Sequence, residues 1–181
     1  MGREGLMNGA VFYASKYGST AEYAGWIGDT TGLAVYDIRG DCPGLAEFDF
    51  LVLGSPVIYH KLLFSKWVRR NLSVLLNKQV ILFTVSGAPA GEKLDAWIAA
   101  SLPESLIRSM RHVVLRGRQN PKDLSRFDRM MLTIAGLANR DRQAAREEMH
   151  GFDFMDRASI QPVVDMIEEF KRADAVSAAL E

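Results

Sequence analysis

The 181-residue chain predicts an α/β domain whose parallel strands are buried between layers of helix. Five short apolar runs recur along it, and helix-type patterns separate most of them. The third and fourth runs are nearly continuous in apolar residues, where a half-exposed strand would alternate. Strands separated by helices pair in parallel, and a strand covered on both faces needs apolar side chains on both.

In order, the predicted strands are Gly9–Ala14, Leu33–Ile38, Phe50–Gly54, Gln79–Val85 and His112–Arg116. Between the first two, Thr20–Asp29 sets Tyr23, Ala24, Trp26 and Ile27 at helical spacing, with Ser19 and Glu22 spaced as a capping box. Leu62–Leu76 puts Leu63, Trp67, Val68 and Leu72 on one face and Lys66, Arg69 and Arg70 largely on another. Leu94–Leu102 is a short helix that Pro103 ends, since proline cannot continue the hydrogen-bond ladder. Ile160–Phe170 follows the candidate caps Asp156 and Ser159 and carries Val163, Val164, Ile167 and Phe170 in register.

Residues 120–156 are long for a connection, and Leu124, Phe127, Met131 and Ile134 recur there at spacings of three and four. That stretch is expected to be an insertion inside one domain spanning residues 9–181, with Met1–Asn8 a flexible leader and Met7 an alternative start. No repeat or low-complexity segment is evident.

Composition removes several function classes. Hydrophobic residues make up 48% and charged residues 24%, the balance of a globular chain. Lys plus Arg number 22 and Asp plus Glu 22, so the net charge of +0 offers no general attraction to nucleic acid. The single cysteine, Cys42, forbids an intrachain disulfide, and the three histidines are too few and scattered for a metal centre. Cys42 precedes Pro43 without the cationic setting a reactive thiol needs. Arg3 and Glu4 and the lack of an apolar run argue against a signal peptide, and nothing reaches the roughly 20 apolar residues of a spanning helix. A cytoplasmic location is expected.

The chemistry concentrates in Val11-Phe12-Tyr13-Ala14-Ser15-Lys16-Tyr17-Gly18-Ser19-Thr20. A hydrophobic strand runs into a loop of hydroxyls and one glycine, and a helix begins at once. A phosphate monoester there would meet backbone N–H groups at the positive end of the helix dipole. Ser15, Ser19 and Thr20 add hydroxyl donors, and Gly18 lets the backbone approach the anion closely. The loop can hold a dianion without a basic side chain, with Lys16 available to assist. On its own the same pattern also describes hydroxyls that only cap a helix.

This run resembles the phosphate-binding signature of the flavodoxin family, with Val11, Phe12, Tyr13, Ser15, Gly18, Thr20, Ala24 and Ile27 at its constrained positions. The resemblance implies a flavodoxin-like three-layer sandwich, its five-stranded parallel sheet in the order 2-1-3-4-5. It also implies flavin mononucleotide (FMN) bound at the switch between strands one and three. Ser15, Lys16, Tyr17, Gly18, Ser19 and Thr20 would then hold the phosphate. The loop after strand three would touch the flavin as a unit, Pro56, Val57, Ile58, Tyr59 and His60, with Tyr59 stacking on the ring or packing on its own helix. After strand four, Ser86, Gly87 and Ala88 resemble the third flavin-flanking loop but lack the aromatic residue many shuttle flavodoxins carry, leaving one flavin face open to substrate. His60 and His112 are candidate proton carriers, although His112 also reads as the opening of a strand, and no residue is singled out as catalytic.

Two redox readings follow from the resemblance. Shuttle flavodoxins are strongly acidic, whereas this chain is neutral, which favours an oxidoreductase. The run Arg126-Phe127-Asp128-Arg129-Met130-Met131 and its position resemble the menaquinone-dependent protoporphyrinogen oxidases, flavodoxin-type enzymes of haem synthesis. That resemblance implies a porphyrinogen donor and a quinone acceptor. Arg116, Arg118, Arg126 and Arg129 would face propionates, and the uncharged stretch Met130–Ala138 would contact the inner face of a membrane or shield a hydrophobic substrate. The same methionine-rich stretch reads equally as core or as a homodimer contact. An electron shuttle between redox proteins and a flavin-free interaction module remain open. A receiver domain would need acids where Ala14, Ser15, Gly54 and Ser55 stand, and a low-molecular-weight phosphatase a cysteine in the first loop.

Overall fold

The computed structural model describes residues 7–130 and 151–178. Its central sheet holds β1 (Gly9–Tyr13), β2 (Ala34–Asp37), β3 (Phe50–Ile58), β5 (Gln79–Ser86) and β6 (Arg111–Arg116). They lie in the spatial order β2-β1-β3-β5-β6, with every neighbouring pair parallel. Counted as five strands this is 2-1-3-4-5, the expected order. The short β4 (Lys61–Leu62) pairs back antiparallel on the end of β3.

Alternation along the strands builds a core on each face. Ala10, Phe12, Leu51, Leu53 and Leu82 point to one side and bury Val68, Leu75, Leu94, Ile98 and Leu106 there. These come from α2 (Ser65–Arg70), α3 (Leu72–Leu75), α4 (Glu92–Ser101) and α5 (Glu104–Ser109). Val11, Phe50, Val52, Ile81 and Phe83 point to the other side, against Tyr23, Ala24 and Ile27 of α1 (Ser19–Thr31) and Val163, Ile167 and Phe170 of α6 (Gln161–Ala178). Helix, sheet and helix form the three layers. Fully buried Tyr23 pins α1 in place: its hydroxyl donates to the Arg116 carbonyl at 2.8 Å and accepts from the Asp156 amide at 3.2 Å.

Several local expectations change. The predicted capping box does not form, because Gly18, at φ 93°, is the N-cap and Ser19 is already helical. Ser19 Oγ is instead hydrogen-bonded to the backbone of Arg118, and Glu22 pairs with the Arg118 guanidinium at 2.5 Å. The helix expected over 62–76 is two short helices: Asn71, with φ −103° and ψ 9°, leaves helical geometry, and its side chain donates to the Trp67 carbonyl at 2.9 Å. Its first residue, Leu62, instead belongs to β4, whose return lets β3 run on through Pro56, Val57 and Ile58. Asp156 does cap the 3-10 turn Arg157–Ile160 ahead of α6 by accepting from the Ala158 amide.

The stretch read as an insertion leaves β6 through β7 (Arg118–Gln119) and comes back through β8 (Phe152–Asp153), which pairs antiparallel with β7. A helix begins at Arg126, with Ser125 Oγ accepting from the Asp128 amide at 3.1 Å. Met131, Ile134 and all of Met130–Ala138 beyond Met130 lie outside the described residues; Met130 itself is exposed. Among the described residues no helix is long and apolar enough to cross a membrane.

Candidate functional site

The sheet changes its direction of winding between β1 and β3, so the loops leaving their carboxyl ends diverge and open a crevice, where ligands of such sheets bind. A cavity of about 210 Å³ lies there. One side is the loop after β1 with the first turn of α1: Ser15, Lys16, Tyr17, Ser19 and Thr20. The end of β3 and its turn supply Pro56, Val57, Ile58 and Tyr59, and the end of β5 supplies Val85, Ser86 and Gly87. Gly18, His60 and Ala88, also expected at the site, are not on the wall.

The loop's groups bear on an anion. Ser15 Oγ accepts from the Gly18 amide at 3.1 Å and so fixes the turn, whose positive φ suits glycine. The first amides of α1 have no partner within the helix. Thr20 is 1% exposed, and its hydroxyl has no hydrogen-bond partner among the described residues. A buried hydroxyl left unpaired costs about 1–3 kcal/mol, so an orphan in a cavity wall marks a place for an acceptor. A phosphate oxygen fits that role, and the loop suits a phosphate-bearing group.

Lys16 is engaged elsewhere. Its ammonium lies 2.6 Å from Asp128 Oδ2, on the helix that begins at Arg126. Asp128 is 5% exposed and also accepts from the hydroxyls of Tyr17, Tyr59 and, at 2.9 Å, Ser125. Burial works against its ionised form, but the hydrogen bonds from Lys16, Tyr17, Tyr59 and Ser125 outweigh it and hold the carboxyl well below the usual range. Burial and then Asp128 push the Tyr59 phenol up to about 12, so it is a neutral donor. For Lys16, burial is overcome by Asp128 and the value is raised.

Tyr59 and His60 form the two-residue turn between β3 and β4, with φ of 49° and 62°. A primed hairpin turn needs positive φ at both positions, and non-glycine residues accept that only when tertiary contacts hold them. His60 stacks on Trp97 at 4.5 Å, away from the cavity, and Tyr59 meets Phe127 edge to face at 6.4 Å. His112 lies within β6, its Nε2 2.9 Å from Thr84 Oγ1, and burial lowers its value.

The wall beside Gly87 differs from expectation. A Cβ on Gly87 would stand 2.5 Å from Phe152 Cζ, and Phe152 lines the cavity. The aromatic residue that the loop after β5 lacks is thus brought to it by β8, and that side is covered. Sequence reasoning missed Phe152 and Asp128 as wall residues; each lies far along the chain from the loop it meets. Of the four arginines expected to face propionates, Arg116 lies over the Phe154 ring at 4.0 Å, Arg118 pairs with Glu22, and Arg129 donates to the Pro121 and Lys122 carbonyls; Arg126 is exposed. Cys42 is half-buried, its Sγ donating to the Asp37 carbonyl at 3.1 Å, and burial raises its value, as suits an unreactive thiol.

Among solved structures, the chain is similar to a flavodoxin, WrbA-like protein from Agrobacterium tumefaciens (20% identity over 60% of this chain and 83% of that one, TM-score 0.44). It is also similar to a Fusobacterium nucleatum flavodoxin bound to flavin mononucleotide (18%, covering 64% and 72%, TM-score 0.44). A third is two-electron reduced Megasphaera elsdenii flavodoxin (23%, covering 60% and 82%, TM-score 0.43). At these scores the fold assignment rests on the strand order and not on the likenesses. No curated protein matches the chain. The model of the family described as "Flavodoxin domain" matches residues 10–145, most of the chain, and with the strand order and the loop after β1 this places the protein in the flavodoxin-domain family.

Proposed function

We propose that the protein binds FMN in the crevice between β1 and β3 and works as an oxidoreductase, passing electrons from a reduced organic substrate to a quinone-type acceptor. The observation that carries the cofactor is the partnerless Thr20 hydroxyl in the cavity wall, beside Ser15 and Ser19. Membership of the flavodoxin-domain family supports the same reading. Bound FMN would supply two-electron redox chemistry.

This chain's part is to bind, orient and shield. Ser15, Ser19, Thr20 and the first amides of α1 would take the phosphate. Lys16 is occupied by Asp128, so the dianion would be held by dipoles and hydroxyls. Tyr59 and Phe152 both line the cavity and give it aromatic surface suited to a flat ring. Among the described residues, no histidine or cysteine lines it, which fits a reaction whose proton handling belongs to cofactor and substrate.

The neutral net charge favours an oxidoreductase over a general shuttle, because it gives no long-range field for steering basic partner proteins. Protoporphyrinogen is the donor that the resemblance of the 126–131 run suggests. Purified protein loaded with FMN should turn yellow and should oxidise protoporphyrinogen when a soluble menaquinone analogue is offered. Failure with both, together with fast electron exchange with a redox protein, would move the assignment to a shuttle. A colourless protein that ignores added FMN would overturn both.

A further inference from the structure

Among the described residues, Asp128 is the one charged side chain that is buried. An ionised carboxylate leaves water only where donors replace the water it loses. Here the donors come from three separate places: Lys16 and Tyr17 from the loop after β1, Tyr59 from the turn after β3, and Ser125 from its own segment. Tyr59 is 48% exposed and sits at a positive φ that its type does not favour, so something beyond the turn must hold it. Its hydroxyl reaches Asp128, and its ring reaches Phe127 one residue earlier.

We propose that Asp128 is a positioning residue of the flavin site, clasping the segment after β7 to the phosphate loop and to Tyr59, and lowering the reduction potential of the bound flavin by its fixed charge. The inference rests on the FMN reading above and deepens it. Two physical effects meet in one carboxylate. Holding Tyr59 fixes an aromatic wall before the cofactor arrives, so less ordering is left to be done on binding. A negative charge in a buried wall opposes electrons added to the neighbouring ring, and low local polarity makes that opposition felt. Lys16, 2.6 Å away, offsets part of the charge. Removing the carboxylate still makes the wall more positive by one unit and leaves the ammonium unpaired.

The two effects separate in a pair of nearly isosteric variants. Asp128→Asn removes the charge, whereas Tyr59→Phe cuts the tether and keeps the charge. FMN dissociation constants from fluorescence quenching, and midpoint potentials from spectroelectrochemistry at neutral pH, are measured for wild type, both single variants and the double. Tyr59→Phe should weaken FMN about tenfold, and the double variant should bind little worse than Asp128→Asn alone, because the contact is lost once. The midpoint potential should rise in Asp128→Asn and stay at the wild-type value in Tyr59→Phe. Additive losses of affinity, or a wild-type potential in Asp128→Asn, would overturn the proposal. Wild-type protein that takes up no FMN sinks the cofactor reading itself. The clasp is then judged on the unfolding temperatures of the same four flavin-free proteins, where coupled losses support it and additive ones remove it.

Discussion

Replacing Thr20 by valine should stabilise the flavin-free protein and weaken its hold on FMN, two effects of opposite sign from one atom. The Thr20 side chain is 1% exposed and its hydroxyl is without a partner among the described residues. Valine keeps the shape and replaces the hydroxyl by a methyl group. A buried, unpaired hydroxyl costs about 1–3 kcal/mol, so its removal should recover about 1–2 kcal/mol after imperfect packing. For a chain of this size each kcal/mol moves the melting temperature about 2–4 °C, which makes a rise of about 2–8 °C measurable by calorimetry. With FMN the balance reverses. A hydrogen bond to a charged acceptor contributes about 1.5–3 kcal/mol, and its loss should raise the dissociation constant roughly 10- to 150-fold in a fluorescence titration. Ser15→Ala provides the contrast, since Ser15 Oγ already accepts from the Gly18 amide at 3.1 Å. That change should lower stability with and without FMN. A Thr20→Val protein that melts lower without flavin, or that binds FMN as tightly as wild type, would refute the reasoning.

Other outcomes follow from the same geometry. Gly87→Ala should push the Phe152 ring out of the wall, because the new Cβ would lie 2.5 Å from Cζ. Overpacking of this kind costs about 1–3 kcal/mol in denaturant titrations and should also reduce FMN affinity. The Asp128 carboxyl titrates below its unfolded value of about 4. Its contribution to stability is therefore complete above pH 4 and is lost as pH falls toward the folded value. The melting-temperature advantage of wild type over Asp128→Asn should accordingly be flat near neutrality and shrink below pH 4. Arg118→Ala breaks a pair with Glu22 whose side chains are 39% and 36% exposed. It should cost under about 1 kcal/mol by chemical denaturation, and less in high salt.

The layers and the sheet could be read in advance because they depend on short-range pattern. The continuous apolar runs of β3 and β5 require cover on both faces, and Val163, Ile167 and Phe170 mark a helix that supplies it. The phosphate loop was legible for a related reason: strand, hydroxyls, glycine and helix start are contiguous, so the chain carries them together. Reading failed where backbone geometry turned on a neighbour. Gly18, not Ser19, became the N-cap, and the return of β4 drew Pro56–Ile58 out of a loop and into a strand.

By itself, then, the order of residues determined a parallel α/β architecture and an anion-ready junction after the first strand, because hydrophobic period and helix-end chemistry act over a few residues. Only the tertiary structure decided which side chains complete the crevice. Tyr17 and Asp128 are 111 residues apart and Tyr59 and Asp128 are 69 apart, yet they share one carboxylate. Phe152 meets Gly87 in the same way, through the pairing of β7 with β8. Such meetings depend on where a returning segment is packed, and no local periodicity encodes that.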